Sequence, residues 1–128
     1  GDFKFIAEPG RYFAENVATF YTKIIGVRQR RDTFEYYINE SAYGSFNCII
    51  YDHTILQKPR FLTDKSLEEY DSILYGNTCD GGDTIATMKL PKLEVGDWLI
   101  WHNFGAYTIA GACDFNGIIL TKPNKIYV

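Results

Sequence analysis

Residues 96–103 read GDWLIWHN, an apolar and aromatic run between polar turn residues. Three other short runs have the same texture, namely FEYYINES (34–41), SFNCIIYDH (45–53) and AYTIAGAC (106–113). Aromatic and β-branched residues favour strands, and the Gly, Asn and Asp residues around the runs favour turns. The pattern predicts a mainly β domain, built as an antiparallel β-sandwich or barrel.

The first part of the chain has a different pattern. FKFIAEPG (3–10) predicts a short strand that ends at a Pro-Gly turn, and apolar residues then recur at helical spacing from about Arg11 to Ile25. A single βα unit cannot bury both faces of its strand. We therefore expect residues 1–25 to be the last βα unit of an α/β (TIM-like) barrel, followed by a C-terminal β-domain over residues 26–128.

Composition limits the classes of function. The 128 residues are 46% hydrophobic and 16% aromatic, which is enough apolar surface to bury a core. The net charge of −3 argues against nucleic acid or an anionic membrane as the main partner. No run of 18 apolar residues and no charged-then-apolar leader is present, so the sequence predicts neither a membrane span nor a signal peptide.

The cysteines and histidines argue against a disulfide framework and a metal centre. Cys48, Cys79 and Cys113 are odd in number, widely spaced and outside any CxxC pattern. His53 and His102 are too few for a zinc site. Reduced thiols are typical of the cytosol. The sequence therefore predicts a cytoplasmic protein without a metal site.

Two segments combine residues that can bind charged groups. In EPGR (8–11), a turn places Gly10 and Arg11 at a predicted helix start, where backbone N–H groups and a guanidinium can bind phosphate. Pro and Gly also end strands for purely structural reasons, so the tetrapeptide by itself is weak evidence for a phosphate site. In YDH (51–53), Asp52 ends a predicted strand and is either a solvated edge charge or an anchor for a substrate ammonium group.

Two further segments carry a thiol and a phenol. YGNTCDGGD (75–83) reads as a turn in which Cys79 stands beside Asp80. Nearby carboxylates favour the protonated thiol, so the cysteine suits a proton donor better than a standing nucleophile. In GAYT (105–108), Tyr107 begins a predicted strand, where a tyrosine is usually a core residue with its hydroxyl satisfied.

Together with FNG (115–117), these segments occur in the order and at about the separations of the C-terminal portion of eukaryotic-type ornithine decarboxylases. The similarity extends from end to end of the chain. YGSFNCIIYDH (43–53) in particular resembles the ornithine branch of the fold-type III, pyridoxal-phosphate-dependent decarboxylases. The resemblance implies pyridoxal 5′-phosphate (PLP) as cofactor and the conversion of L-ornithine to putrescine and CO₂ in polyamine biosynthesis.

The resemblance also implies roles at the cofactor. Gly10 and Arg11, within the matching segment that also contains Pro9, would hold the phosphate, and the Tyr107 hydroxyl would reach the same group. Glu8 would face the pyridine nitrogen and keep it protonated, which makes the ring a better electron sink.

A second set of residues is implied at the substrate. Tyr51 and Asp52 match the family's substrate-binding pair, and Asp80 matches a second carboxylate that faces the distal ammonium group. Phe115 would form a wall of the substrate pocket. Cys79 matches the residue that protonates Cα after CO₂ leaves.

In the family, the matching cysteine and aspartate come from the other subunit, so the resemblance implies a homodimer with shared active sites. Asp83 would then be a candidate for an interface ion pair, and antizyme is a candidate regulatory partner. The family's Schiff-base lysine, cofactor-stacking histidine and Gly-rich phosphate loop match nothing in these residues. We therefore expect this chain to be inactive by itself.

Two alternatives remain open. Antizyme inhibitors resemble ornithine decarboxylases throughout, yet they have lost activity and act by binding a regulator. Enzymes acting on lysine, arginine or diaminopimelate share much of the pattern, although diaminopimelate enzymes typically carry CESGD where this chain has CDGGD. Ornithine and lysine differ by one methylene, which contributes only about 1–3 kcal/mol in a pocket, so the sequence does not choose between them.

Overall fold

The computed structural model describes residues 1–120 and 122–128. Its main feature is one mixed six-stranded sheet, curled into a half-barrel, with strand order β3-β6-β1-β2-β4-β5. The elements in chain order are α1 (Arg11–Ala14), a 3₁₀ turn (Glu15–Val17), β1 (Phe20–Arg30), β2 (Thr33–Ile38), α2 (Cys48–Tyr51), β3 (Arg60–Phe61), β4 (Tyr70–Tyr75), β5 (Thr84–Leu90) and β6 (Trp98–Trp101). The mainly β fold class predicted from the sequence is confirmed.

The sheet departs from the antiparallel expectation at one place. Strand β2 pairs with β4 in parallel, whereas β1–β2, β1–β6, β3–β6 and β4–β5 are antiparallel. Parallel neighbours need a crossover, and residues 39–69 form it. This crossover contains α2 and β3, and it also contains the predicted site residues Tyr51 and Asp52.

A continuous apolar core covers one face of the sheet. Ile24, Tyr36, Leu74 and Leu99 are each 0% exposed and come from four different strands. Tyr36 keeps its hydroxyl satisfied inside the core, because that oxygen accepts a hydrogen bond from the Leu93 N–H at 3.1 Å. Burial of these side chains on four strands stabilises the sheet that positions the loops.

The helix predicted from Arg11 to Ile25 is wrong beyond its first turns. Helix α1 ends at Ala14, and β1 begins at Phe20. Residues four apart on a helix also lie on one face of a strand, so Phe20 and Ile24 satisfy both periods. In β1, Phe20 and Ile24 pack towards the core, and Tyr21 between them is exposed. Pairing with β6 resolves the ambiguity in favour of the strand.

The strand predicted over residues 45–53 is also wrong, because polar side chains there stabilise turns. The Ser41 hydroxyl accepts the N–H groups of Tyr43 and Gly44 at 2.9 and 3.1 Å. The Asn47 amide donates to the Gly44 carbonyl at 2.7 Å, immediately before α2 begins. Such local bonds compete with sheet formation.

The strand predicted over residues 106–113 is likewise wrong. Tyr107 has φ +57°, a left-handed conformation that cannot continue a strand. The polar, Pro-containing segment 56–72 contains β3 and the start of β4. Within the described residues, we found no helix with the length and apolarity needed to cross a bilayer.

The division of the chain into residues 1–25 and 26–128 remains a prediction. Strand β1 runs through residues 25 and 26, and residues 1–9 are exposed and lie outside helices and strands. The strand predicted at 3–10 is therefore absent from this part of the described chain.

Candidate active site

The Arg11 guanidinium is the centre of the first group of predicted site residues. It forms an ion pair with the Asp52 carboxylate and lies 5.3 Å from the centroid of the Tyr107 ring. Gly10 completes the group, since a Cβ at that position would lie only 2.7 Å from the Tyr107 hydroxyl oxygen. We call Gly10, Arg11, Asp52 and Tyr107 the cofactor corner. Three separate segments of the sequence meet there.

The segment that follows β6, residues 102–107, packs closely on residues 14–18 at the end of α1 and so brings Tyr107 to this corner. The N–H groups of Phe104 and Gly105 donate to the carbonyls of Ala18 and Glu15, both at 2.9 Å. A Cβ at Gly105 would overlap the Ala14 carbonyl oxygen, so this approach requires glycine. The left-handed backbone of Tyr107 then turns its side chain towards Arg11.

Helix α2 positions Asp52 and its neighbour Tyr51. The Asp52 N–H donates to the Cys48 carbonyl at 3.0 Å, which makes Asp52 the C-terminal cap of the helix. The Thr54 hydroxyl donates to the Asp52 carboxylate at 3.1 Å. Tyr51 is 70% exposed, and its ring lies where a Cβ at Gly111 would approach to 2.6 Å.

The donor set of the cofactor corner fits a phosphate group. A guanidinium, a phenolic hydroxyl and the backbone beside a glycine converge, and each can donate to phosphate oxygens. Helix α1 is a single turn, so the helix dipole expected at this place is small and the side chains must supply the binding. Glu8 and Pro9 are exposed, and their predicted cofactor contacts remain predictions.

The second group lies on the β4–β5 loop, residues 76–83, which is built around a buried carboxylate. Asp83 is 1% exposed and accepts hydrogen bonds from the N–H of Ala42 at 2.8 Å, and from the N–H and hydroxyl of Thr78 at 3.0 and 2.7 Å. Gly76 gives this carboxylate room, because a Cβ there would overlap it. The loop is therefore a fixed structure within this chain.

The burial of the Asp83 carboxylate is relevant to the interface ion pair that was predicted for this residue. Both of its carboxylate oxygens are engaged by groups of the same chain. This position does not support an ion pair across an interface, and that role stays a prediction.

Cys79 and Asp80 stand at the outer side of the loop. Cys79 is exposed, and the Asn116 amide contacts its sulfur at 3.5 Å. Asp80 accepts hydrogen bonds from the Tyr43 hydroxyl and from the N–H of Gly82 at 3.1 Å, and these donors lower the pKa of the carboxyl group. The loop presents a thiol beside an ionised carboxylate.

A tight turn contacts the same loop through Asn116. Phe115 and Ile118 exchange backbone hydrogen bonds at 3.1 and 2.8 Å, and Asn116 and Gly117 between them both have positive φ. Positive φ at both central positions is typical of a type I′ turn, which Asn-Gly favours. The turn places Phe115 on the Tyr43 ring, with centroids 4.1 Å apart and planes at 7°. We call Cys79, Asp80, Tyr43 and Phe115 the thiol cluster.

The two groups do not meet within one chain. Among residues 1–120 and 122–128, no hydrogen bond, ion pair or aromatic contact joins the cofactor corner to the thiol cluster. The structure therefore brings Arg11, Asp52 and Tyr107 together at one place, and Cys79, Asp80 and Phe115 at another.

Sequence reasoning assigned no role to Tyr43, Asn116 or Gly105, all of which support site residues. Each lies inside a quoted segment, and the Asn-Gly pair at 116–117 was a readable turn signal. Nothing in the sequence indicated that Tyr43 contacts Asp80, because the two residues are 37 positions apart.

Comparison with known proteins identifies the family. The family model described as "Pyridoxal-dependent decarboxylase, C-terminal sheet domain" matches residues 11–105. The ornithine decarboxylase of Mus musculus is 40% identical, over 98% of this chain and 30% of that protein. The chloroplastic ornithine decarboxylase of Nicotiana glutinosa is 42% identical, over 88% of this chain and 28% of that protein.

Solved structures agree with this result. The arginine decarboxylase of Paramecium bursaria Chlorella virus superposes with a TM-score of 0.80 at 42% identity, covering 88% of this chain and 31% of that one. The lysine/ornithine decarboxylase of Vibrio vulnificus, complexed with cadaverine, gives a TM-score of 0.79 at 35% identity over similar shares. The chain thus spans about 30% of the length of these relatives. It belongs to the pyridoxal-dependent decarboxylase family, in which it corresponds to the C-terminal sheet domain.

Proposed function

We propose that this chain is the C-terminal part of a PLP-dependent ornithine decarboxylase, which converts L-ornithine to putrescine and CO₂. The convergence of Arg11, Asp52 and Tyr107 carries the proposal, because three separate segments place a guanidinium and a phenol, which can bind phosphate, beside a carboxylate, which can bind an ammonium group. The relatives support it further, since two of them are named ornithine decarboxylases and one neighbour is named a lysine/ornithine decarboxylase.

At the cofactor corner, the side chains hold and orient the cofactor. Arg11 and Tyr107 bind the phosphate, and Gly10 leaves the room that the Tyr107 hydroxyl needs. When bound, PLP withdraws electrons from Cα of the substrate, which allows the bond to the carboxylate carbon to break. Glu8 is proposed to face the pyridine nitrogen.

Two carboxylates are proposed to recognise the distal ammonium group. Asp52 is 40% exposed at its side chain beside Arg11, and Asp80 is fixed by its hydrogen bonds in the thiol cluster. Tyr51 and Phe115 supply aromatic walls for the methylene chain. A carboxylate at either position would repel a substrate with a distal carboxylate, so the pair favours a diamino acid.

The Cys79 thiol is proposed to place the final proton. When CO₂ leaves, the electron pair of the broken bond remains at Cα, and the exposed S–H donates its proton to that atom. Solvent returns the proton to the sulfur between turnovers. The direction of protonation decides the product, because only protonation at Cα gives putrescine.

Separation of the two groups within one chain supports a shared site. We propose a homodimer in which each thiol cluster completes the cofactor corner of the partner subunit. Antizyme binding and a cytoplasmic location remain predictions.

The test uses the full-length protein that contains this chain, loaded with PLP. Release of CO₂ and formation of diamine are measured with ornithine, lysine and arginine in parallel. We expect ornithine to give the highest kcat/KM. Cys79→Ala should retain PLP and lose putrescine formation by about a hundredfold or more, with part of the turnover diverted to misprotonated product. Cys113→Ala, at another exposed cysteine, is the matched control.

Mixed dimers test the shared site directly. When Arg11→Ala and Cys79→Ala subunits are combined at random, half of the dimers are mixed and each contains one intact site, so activity should return to about a quarter of the wild-type value. No recovery would contradict the shared site, and normal putrescine formation by Cys79→Ala would contradict the proton-donor role. A dimer that turns over none of the three amino acids would favour the regulatory alternative.

A further inference from the structure

The turn between β2 and α2 contains Tyr43, which contacts Asp80 and Phe115 of the thiol cluster and also Cys113. The Tyr43 hydroxyl donates to Asp80 Oδ2, and its ring stacks on Phe115 at 4.1 Å. Its carbonyl accepts the N–H of Cys113 at 3.0 Å, two residues before Phe115. Tyr43 therefore links the β4–β5 loop to the segment that carries the pocket wall.

Backbone hydrogen bonds fix Tyr43 and the residue before it. Its N–H donates to the Ser41 hydroxyl at 2.9 Å. The preceding N–H, from Ala42, donates to the buried Asp83 carboxylate at 2.8 Å. Consecutive residues thus hold the two aspartates of the β4–β5 loop, one through the backbone and one through the phenol.

This arrangement fixes the orientation of the Asp80 carboxylate. Oδ2 accepts the phenol and Oδ1 accepts the N–H of Gly82 at 3.1 Å. The same contact with Asp80 raises the pKa of Tyr43 to about 12, so the phenol keeps its proton throughout the neutral range. A carboxylate held in this way loses less conformational freedom when it binds a cation.

We propose that Tyr43 is a positioning residue, which orients Asp80 and Phe115 to receive the distal ammonium group and methylene chain of the substrate. The inference rests on the proposed decarboxylase function and adds a specificity determinant to it. Tyr43 contacts Asp80 rather than Cys79. Its contribution is therefore to substrate binding at the far end of the molecule and not to protonation at Cα.

The variant Tyr43→Phe keeps the stacked ring and removes the hydroxyl, so the fold should be retained. In the PLP-loaded full-length protein, we expect KM for ornithine to rise about tenfold with kcat changed less than twofold. The affinity for putrescine should fall by the same factor, whereas the affinity for n-butylamine, which lacks the second ammonium group, should not change. Tyr37→Phe is the matched control, because Tyr37 is also a tyrosine in a stacked aromatic pair, with Tyr75, outside the thiol cluster.

The pH profile gives a readout that a purely structural role would not move. The phenol lowers the pKa of Asp80, so its loss should raise that pKa towards the ordinary value. The acid limb of kcat/KM for ornithine should therefore shift to higher pH in Tyr43→Phe. In an Asp80→Asn background, Tyr43→Phe should cause almost no further loss, because the two side chains act through one contact.

Three results would overturn the positioning role. These are an unchanged KM, an equal loss of putrescine and n-butylamine affinity, and full additivity with Asp80→Asn. A wild-type protein that does not decarboxylate diamino acids would contradict the proposed function instead. The comparison of diamine with monoamine binding would still decide the role of Tyr43 in that case.

Discussion

The cofactor corner and the β4–β5 loop are held in different ways. The loop encloses the Asp83 carboxylate, which is 1% exposed and accepts three hydrogen bonds. The corner depends on a partly exposed ion pair between Arg11 and Asp52 and on the close approach of Gly105 to the α1 turn. One group is supported by burial, and the other by surface contacts.

This difference bears on the proposed shared site, because the two groups would contribute to it with different degrees of internal support. The loop has its own internal supports, so it can present Cys79 and Asp80 to another surface without rearrangement. The corner lies beside an apolar segment whose Phe3, Phe5 and Ile6 side chains are 85%, 94% and 87% exposed. The corner is therefore held by more exposed contacts than the loop.

The largest effect is expected from Asp83→Ala, which removes the support of the β4–β5 loop. Two backbone N–H groups and one hydroxyl would lose their acceptor inside the protein, which should lower the free energy of unfolding by about 3 kcal/mol or more. Urea unfolding measures the loss, and hydrogen exchange at the Thr78 and Ala42 amides locates it. Asp71→Ala, at an exposed ion pair, is the control. If both amides kept their protection against hydrogen exchange, the loop would not depend on the buried carboxylate, and the contrast with the cofactor corner would be wrong.

A smaller effect is expected from Gly105→Ala at the cofactor corner. The added Cβ would overlap a backbone carbonyl, which should destabilise the protein by about 1–3 kcal/mol and displace Tyr107. We expect weaker PLP binding with little change in hydrogen exchange at the β4–β5 loop. Gly96→Ala, at a position with open space but positive φ, tests backbone strain alone. Normal cofactor affinity in Gly105→Ala would show that the corner does not depend on this contact.

Arg11→Gln should separate stability from binding. The ion pair with Asp52 is partly exposed, so its loss should change the free energy of unfolding by no more than about 1 kcal/mol. The affinity for PLP should nevertheless fall strongly, because the phosphate loses its charged donor. Thermal unfolding and cofactor titration measure the two quantities. An Arg11→Gln protein with normal PLP affinity would contradict the phosphate assignment.

The smallest effect is expected from thiol modification. Burial raises the pKa of Cys48, whereas Cys79 and Cys113 are exposed. In the native protein, iodoacetamide should therefore label Cys79 and Cys113 within minutes and leave Cys48 unmodified until denaturant is added. Mass spectrometry of tryptic peptides checks the order, and early labelling of Cys48 would mean that α2 opens readily.

Much of the candidate site could be predicted because short segments of the chain match the decarboxylase family in residue type and in order along the sequence. Arg11 and Tyr107 were predicted at the cofactor and Asp52 at the substrate, and in the structure Arg11 contacts both of the other residues. Their supports were not predictable in the same way. Tyr43 and Asp80 meet through the tertiary fold, and no local pattern reports a contact between residues 37 positions apart.

The errors in the fold prediction have two physical sources. Residues 20–25 fit both the helical and the strand period, and pairing with β6 and β2 decides between them. SFNCIIYDH has the composition of a strand, yet the Ser41 and Asn47 side chains stabilise turns around it. The mainly β class was nevertheless predicted correctly, because FEYYINES and GDWLIWHN do contain strands β2 and β6.

The parallel pairing of β2 with β4 has a consequence for the order of folding. Hairpins such as β1–β2 and β4–β5 join neighbouring strands, whereas β2 meets β4 only after residues 39–69 have closed as a loop. Such non-local closure loses chain entropy before its contacts form, so it is slow. Tyr43 and Asp52 both lie within this crossover. We therefore expect these two residues of the candidate site to reach their final positions only when the crossover has closed.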